Sequence, residues 1–242
     1  MRKIIYLLIL ISIASCQTIK VKENTFKATD SNIELGALGE AKSIAGLKNN
    51  FTITAYPKIE EKIKLDVSIV PFTKQTNKEY QEKAKFNQKQ SAINYVDSLP
   101  IKPEMVSIKI SDIANLVTEL NTEKNKDSFS FIKNNERTSM ITSVLVSLSS
   151  VEIDKLRQAD TYYLVQTDVS KYNIALYKSG KKMETVDIST ATILGYGVGK
   201  FCWFENDKGK WLIGDIVQTG NSCKGNTYKK IKPKKEKSLY KM

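Results

Sequence analysis

The sequence contains no histidine. That absence removes Ser-His-Asp and Cys-His nucleophilic catalysis, imidazole metal ligation, and the side chain that most often changes charge near neutral pH. Cysteine is almost as scarce. Cys16, Cys202 and Cys223 are the only three, too few for a four-thiolate zinc site, and no carboxylates are spaced to complete a two-cysteine one. A long apolar run is missing as well. The one sustained run, Ile4 to Ile11, falls far short of the roughly 20 residues that a bilayer-spanning helix needs. No internal repeat is present. From these gaps no metal, no cofactor and no enzymatic activity are expected.

What the chain does have begins at its first residue. Arg2 and Lys3 precede the apolar run, and the small residues of Ser12-Ile13-Ala14-Ser15 lead directly into Cys16. A cationic start, a short apolar stretch and small residues at its end are the three parts of a secretory signal. Ile13-Ala14-Ser15-Cys16 also resembles the bacterial lipobox. That resemblance covers the export signal alone. It implies removal of residues 1–15, acyl chains on Cys16 and a mature chain of 227 residues. Each buried methylene contributes about 0.8 kcal/mol, so two or three chains hold a protein firmly on a bilayer. Gram-negative lipoproteins with Asp after the cysteine tend to stay at the inner membrane. Gln17 stands here, which by the same resemblance points to the outer membrane of the cell envelope.

The formal charge of +12 is unevenly placed. Two charges belong to Arg2 and Lys3. From Lys224 onward eight lysines face one acid, Glu236, a net of +7, which leaves +3 for the body. Lys224, Lys229, Lys230, Lys232, Lys234, Lys235 and Lys237 thus define a basic tail over 224–242, expected to be disordered because repelling charges with little apolar content bury too little surface to fold. On an exported protein such a tail suits anionic lipid or envelope polymer rather than nucleic acid.

Residues 16–45 read as a lipidated cysteine followed by a tether, polar and lysine-rich in its first half and broken by Gly36 and Gly39 in its second. Residues 46–223 read as a single α+β domain. Alternating apolar positions predict strands at Phe51–Tyr56, Ile63–Phe72, Met105–Ile110, Tyr162–Thr167, Tyr172–Lys178, Met183–Ser189, Ile193–Phe204 and Trp211–Gln218. Thr, Val and Ser content tips Met140–Leu148 to strand. Thr76 and Glu79 have the spacing of a capping box for a helix to about Ser98, and Ser149 and Glu152 repeat it. Ile113, Leu116, Val117 and Leu120 form a helical stripe capped by Ser111. Asn121–Asp127 reads as a polar turn, and Phe129–Ile132 as an edge strand. Antiparallel strands beside segregated helices predict a mostly antiparallel sheet with two or three helices on one face.

Four features carry candidate chemistry. Gly195, Gly197 and Gly199 have phosphate-loop spacing but sit between strand patterns, which favours a bulge or close backbone packing over a nucleotide loop. Tyr196, Phe201, Trp203 and Trp211 make the last hairpin the most aromatic region. They read as core or, if one face is exposed, as a partner surface. Ser179 and Lys182 have acyl-transferase spacing without the helix that chemistry requires. Cys202 and Cys223, the only thiols left once Cys16 is acylated, are expected to form a disulfide in an oxidising compartment.

The sequence thus supports a membrane-anchored, non-enzymatic binding or structural module. An inhibitor or immunity protein directed at a toxin or hydrolase, and a carboxylate-based envelope hydrolase, are the alternatives. Cys16→Ser is expected to abolish fatty-acid labelling and release the protein from membrane pellets; a labelled mutant would refute the anchor.

Overall fold

The computed structural model describes residues 18–42, 50–83, 93–168 and 171–231. Within them twelve strands form one antiparallel sheet: β1 Thr18–Val21, β2 Asn24–Ala28, β3 Leu38–Lys42, β4 Asn50–Ala55, β5 Ile63–Pro71, β6 Glu104–Ile110, β7 Ser139–Ser147, β8 Thr161–Asp168, β9 Lys171–Lys178, β10 Lys181–Val186, β11 Thr192–Glu205 and β12 Trp211–Gln218. Four α-helices accompany them: α1 Lys74–Lys83, α2 Ile113–Leu120, α3 Lys126–Asn134 and α4 Ser150–Gln158. The strand path runs β1-β2-β11-β7-β6-β5-β8-β9-β10, with β12 added to β11 and the β3–β4 hairpin joined at β7. The α+β architecture read from the sequence is the observed one.

β7 lies at the centre and is buried along its whole length. Val144 and Val146 point into the main core, while Leu145 points into a second core on the other face. The main core takes apolar side chains from α2, α3 and α4, including Leu116, Leu120, Ile132, Ile153 and Leu156. Tyr80 of α1 packs with Phe26, Phe72 and Leu145 in the second. Three helices thus share one core and the fourth covers the opposite face, where the sequence placed all helices together.

Caps fix the helix starts. The Ser149–Glu152 capping box is present in full. At α1 the reciprocal pair sits three residues earlier than expected: the Thr73 amide donates to Thr76 Oγ1 at 2.8 Å and the Thr76 amide to Thr73 Oγ1 at 3.2 Å. Asp112, not Ser111, caps α2, accepting from the Asn115 amide. The expected extension of α1 falls partly on residues 84–92, outside the described set. Residues 93–98 are not helical, and Val96, expected inward, is exposed.

Three other expectations change. Phe129–Ile132 belongs to α3, not to an edge strand, because Phe129 and Ile132 are one helical turn apart and dock together on the main core. The polar turn before it contains a 3-10 turn at Glu123–Asn125 and two asparagines that satisfy backbone groups of β12 and of the loop after β4. Asn121 exchanges hydrogen bonds with both backbone groups of Ile213, and Asn125 does the same with Lys58. Residues 18–42 are not a tether. They form β1, β2 and β3, and Ile19, Phe26, Ile33, Leu35 and Leu38 are buried. Their period-two apolar spacing outweighs the surrounding lysines.

Gly39 sits at a register shift where β3 pairs with β4. A Cβ there would lie 2.0 Å from the Thr52 carbonyl oxygen and 2.6 Å from the Phe51 ring. Gly39→Ala forces two backbones apart and is expected to cost about 3 kcal/mol, read as a lower urea midpoint; an unchanged midpoint would contradict the packing.

Candidate functional site

β11 is fourteen residues long and changes partners along its length. Its first half pairs with β7, from Thr192 opposite Ser147 to Gly199 opposite Met140, and its second half pairs with β12. Gly195 and Gly197 flank register shifts in the β7 pairing. All three glycines are places of close approach. A Cβ at Gly195 would reach the Lys27 carbonyl at 3.0 Å, at Gly197 the Ser143 hydroxyl at 2.3 Å, and at Gly199 Ile216 at 2.4 Å. The bare face that resembles a phosphate loop is filled by neighbouring strands.

Beyond Gly199 the edge vacated by β7 is taken by the C-terminal segment. The Trp203 amide donates to the Tyr228 carbonyl at 2.8 Å, and the Tyr228 amide donates back to Trp203 at 2.7 Å. The Cys202–Cys223 disulfide holds this strap down, with Cα atoms 5.7 Å apart. The hairpin turn lets the bridge form. The Asn206 side chain accepts from the Lys208 and Lys210 amides, Gly209 takes φ 72°, and β12 returns until the Thr219 amide reaches the Val198 carbonyl. Residues 224–231, assigned to a disordered tail, are therefore partly structured. Lys232, Lys234, Lys235 and Lys237 lie outside the described residues.

Strap, hairpin and the end of α3 enclose a cleft of about 490 Å³. Phe201, Trp203 and Ile132 form its floor, and the amides of Asn135, Gln218 and Asn221 stand on its walls. Lys133, Lys200, Lys229 and Lys230 line it against a single acid, Glu136. Lys230 Nζ pairs with Glu136 Oε2 at 2.5 Å, both side chains well exposed, so the pair contributes little to stability and can open for a ligand. Burial and then nearby Lys200 lower the pKa of Lys27. Thr138, also in the lining, is buried with a hydroxyl that finds no partner among the described residues.

The four aromatic residues singled out from the sequence do not form an exposed partner surface. Tyr196, Phe201, Trp203 and Trp211 are all buried, at 0, 6, 5 and 9% exposure. Phe129 of α3 packs edge-on against Trp203 at 5.7 Å, and Tyr228 against Trp211 at 6.0 Å. Alternation along a hairpin shows which residues share a face, but not that a helix and a strap cover that face.

One carboxylate pair merits comparison with hydrolase sites. Glu34 accepts from the Tyr56 hydroxyl at 3.0 Å. Burial first, and Asp187 to a smaller extent, raise its pKa above the usual carboxylate range, against the Tyr56 bond. Burial also acts to raise Asp187, but Lys171 at 2.7 Å and Ser189 hold it below its usual value. Burial pushes Tyr56 up to about 12. Opposed shifts of this kind suit acid–base chemistry, yet the void beside Glu34, closed by Tyr172 and Ile188, measures about 10 Å³, room for one water at most. Among the described residues no three Cys, Asp or Glu side chains group as a metal site, and no helix is long and apolar enough to cross a membrane.

No protein-family model matches the chain, and no match was found among curated proteins or solved structures.

Removing the bridge with Cys202→Ala/Cys223→Ala opens a loop with a separation of 21 residues. The expected loss is about 3 kcal/mol in the chain-entropy model, with faster hydrogen exchange at Tyr228. Protection of Tyr228 unchanged from wild type would show that the strap holds without the bridge.

Proposed function

We propose that the protein is a lipid-anchored lipoprotein of the bacterial envelope that acts as a binding module, holding an anionic envelope polymer in the lysine-lined cleft. The observation that carries this reading is the cleft itself: four lysines to one glutamate over an apolar floor, under a strap that leads directly into further lysines. Cations on several elements, with amide groups between them, suit a chain of phosphate or carboxylate groups better than a single small anion. The anchor is the acylated Cys16, and the outer membrane its place by the Gln17 resemblance.

The two alternatives find less support. An inhibitor or immunity protein using the aromatic hairpin needs those rings exposed, and they are buried. A carboxylate hydrolase needs substrate room beside its acids, and the void beside Glu34 measures about 10 Å³.

The test is titration with inorganic polyphosphate at several salt concentrations. Lys200→Gln/Lys229→Gln is expected to weaken binding about tenfold or more and to flatten its salt dependence, since each lysine near an anionic surface contributes about 1 kcal/mol. Lys181→Gln/Lys182→Gln, on exposed β10, is expected to change little. Equal losses from both pairs would mean general charge attraction and no cleft site.

A further inference from the structure

Residues 93–103, leading into β6, form a loop three of whose apolar side chains face outward. Val96 is 43% exposed, Leu99 40% and Ile101 86%. These are half of the six large apolar side chains exposed among the described residues, and they fall within six positions of one another. The loop is not loosely held. Ile93 and Tyr95 turn inward onto the second core. Tyr95 Oη donates to Asp97 Oδ1 at 2.7 Å, Lys102 Nζ pairs with the same carboxylate at 3.3 Å, and the Phe72 amide donates to the Pro103 carbonyl at 2.8 Å. Three apolar side chains are thus presented to solvent on a braced frame, which costs free energy unless something covers them.

The start of the described chain is tied to the same segment, residues 72–75, that holds the loop. Gln75, in the first turn of α1, donates from Nε2 to the Thr18 carbonyl at 2.9 Å. Phe72, just before that turn, holds Pro103 at the end of the loop. Lys74 is close enough to help lower the pKa of Asp97, after Tyr95 and Lys102. Only Gln17 separates Thr18 from Cys16, so the acyl chains attach at most about 7 Å of extended chain from Thr18. Lys20 in β1, Lys22 just past it, and Lys74 and Lys78 of α1 are exposed.

We propose that the Val96–Ile101 loop is a second membrane contact, inserting into the interface of an anionic phospholipid bilayer beside the acylated Cys16. The proposal rests on the lipoprotein reading. Because β1 begins two residues after the cysteine, no tether lifts the domain away, and whatever surrounds Thr18 meets the headgroups. Three apolar side chains flanked by lysines match such a surface, with apolar groups at the acyl boundary and cations among anionic headgroups. A protein partner would leave the nearness of loop and anchor unexplained.

The experiment uses the full-chain protein purified from membranes, its acylation checked by intact mass, and reconstituted into phosphatidylethanolamine–phosphatidylglycerol vesicles containing brominated lipid. Ile101→Trp is expected to fluoresce at shorter wavelength and be quenched by the bromines. Met183→Trp, on β10 at the far end of the strand path, is expected to remain unquenched, as are the buried Trp203 and Trp211. An acylated Ile101→Trp protein that is not quenched overturns the loop contact and leaves the anchor standing. A mass without acyl chains refutes the anchor and removes the ground for this proposal with it. Equal quenching at Ile101→Trp and Met183→Trp would also overturn it, since the domain would then have no preferred face toward the bilayer. Protection of the loop only in a complex with another protein would overturn it in favour of a protein interface.

Discussion

Burial of β7 on both faces is the constraint on which the rest of the structure depends. A strand exposed on one side tolerates charged and large polar residues at every second position, whereas a strand between two cores is restricted to apolar and small polar ones. β7 meets the demand with Met140, Ile141, Val144 and Val146 in the main core, Leu145 in the second, and the small hydroxyl residues Ser139, Thr142, Ser143 and Ser147 at its other positions. A slip of one residue would exchange the two sets and misfit both cores, so the register with β6 and β11 is tightly specified. The glycines of β11 belong to the same constraint. Gly197 leaves room for Ser143, and Gly199 for Thr142 and Ile216. Spacing that resembles a ligand loop is thus shaped by strand packing.

From that register the cleft follows. β7 ends its pairing at Gly199, and β11 runs on for six more residues with one edge unpaired. A bare edge invites pairing with another chain. The protein closes it from within: β12 takes one side, and the strap, pinned at Cys223 and paired at Tyr228, takes the other. Because the strap touches β11 by one bridge and not by a full ladder, space remains between it and α3, and the lysines from three elements face that space. Edge protection and a basic cleft are two results of one chain reversal.

Much of the fold was legible because period two is unambiguous where strands alternate, as in Ile63–Pro71 and Trp211–Gln218. The disulfide was legible by counting: with Cys16 set aside as the expected acylation site, Cys202 and Cys223 leave one pairing. Other features depend on tertiary contacts. Phe129 and Ile132 fit a strand or a helix until α3 docks them beside Trp203. The burial of β1 and β2 was signalled by Ile19, Val21, Phe26 and Ala28 but masked by the lysines between them. The cleft left no local mark, because Lys133, Lys200 and Lys229 come together only through the strap. The exposure of Ile101 is likewise invisible in sequence, where nothing distinguishes it from a buried apolar residue.

On the proposed reading, anchoring changes what the cleft must achieve. Exposed lysines attract anions over roughly 8 Å at physiological salt, so most of their field is lost beyond the first layer of ligand. Acyl chains confine the protein to a thin shell at the membrane, where a polymer fixed in the same shell is met at high effective concentration. Weak individual contacts then suffice, and exposed, exchangeable pairs such as Lys230–Glu136 suit a polymer that must slide or be released. The absence of a tether sharpens the requirement. With β1 starting two residues after Cys16, the body cannot turn freely above the bilayer, and the directions in which the cleft can open are set by the few residues around Thr18 and Gln75. Orientation at the membrane is then a property of the folded domain, and the contacts at its exit decide which polymer the lysines can reach.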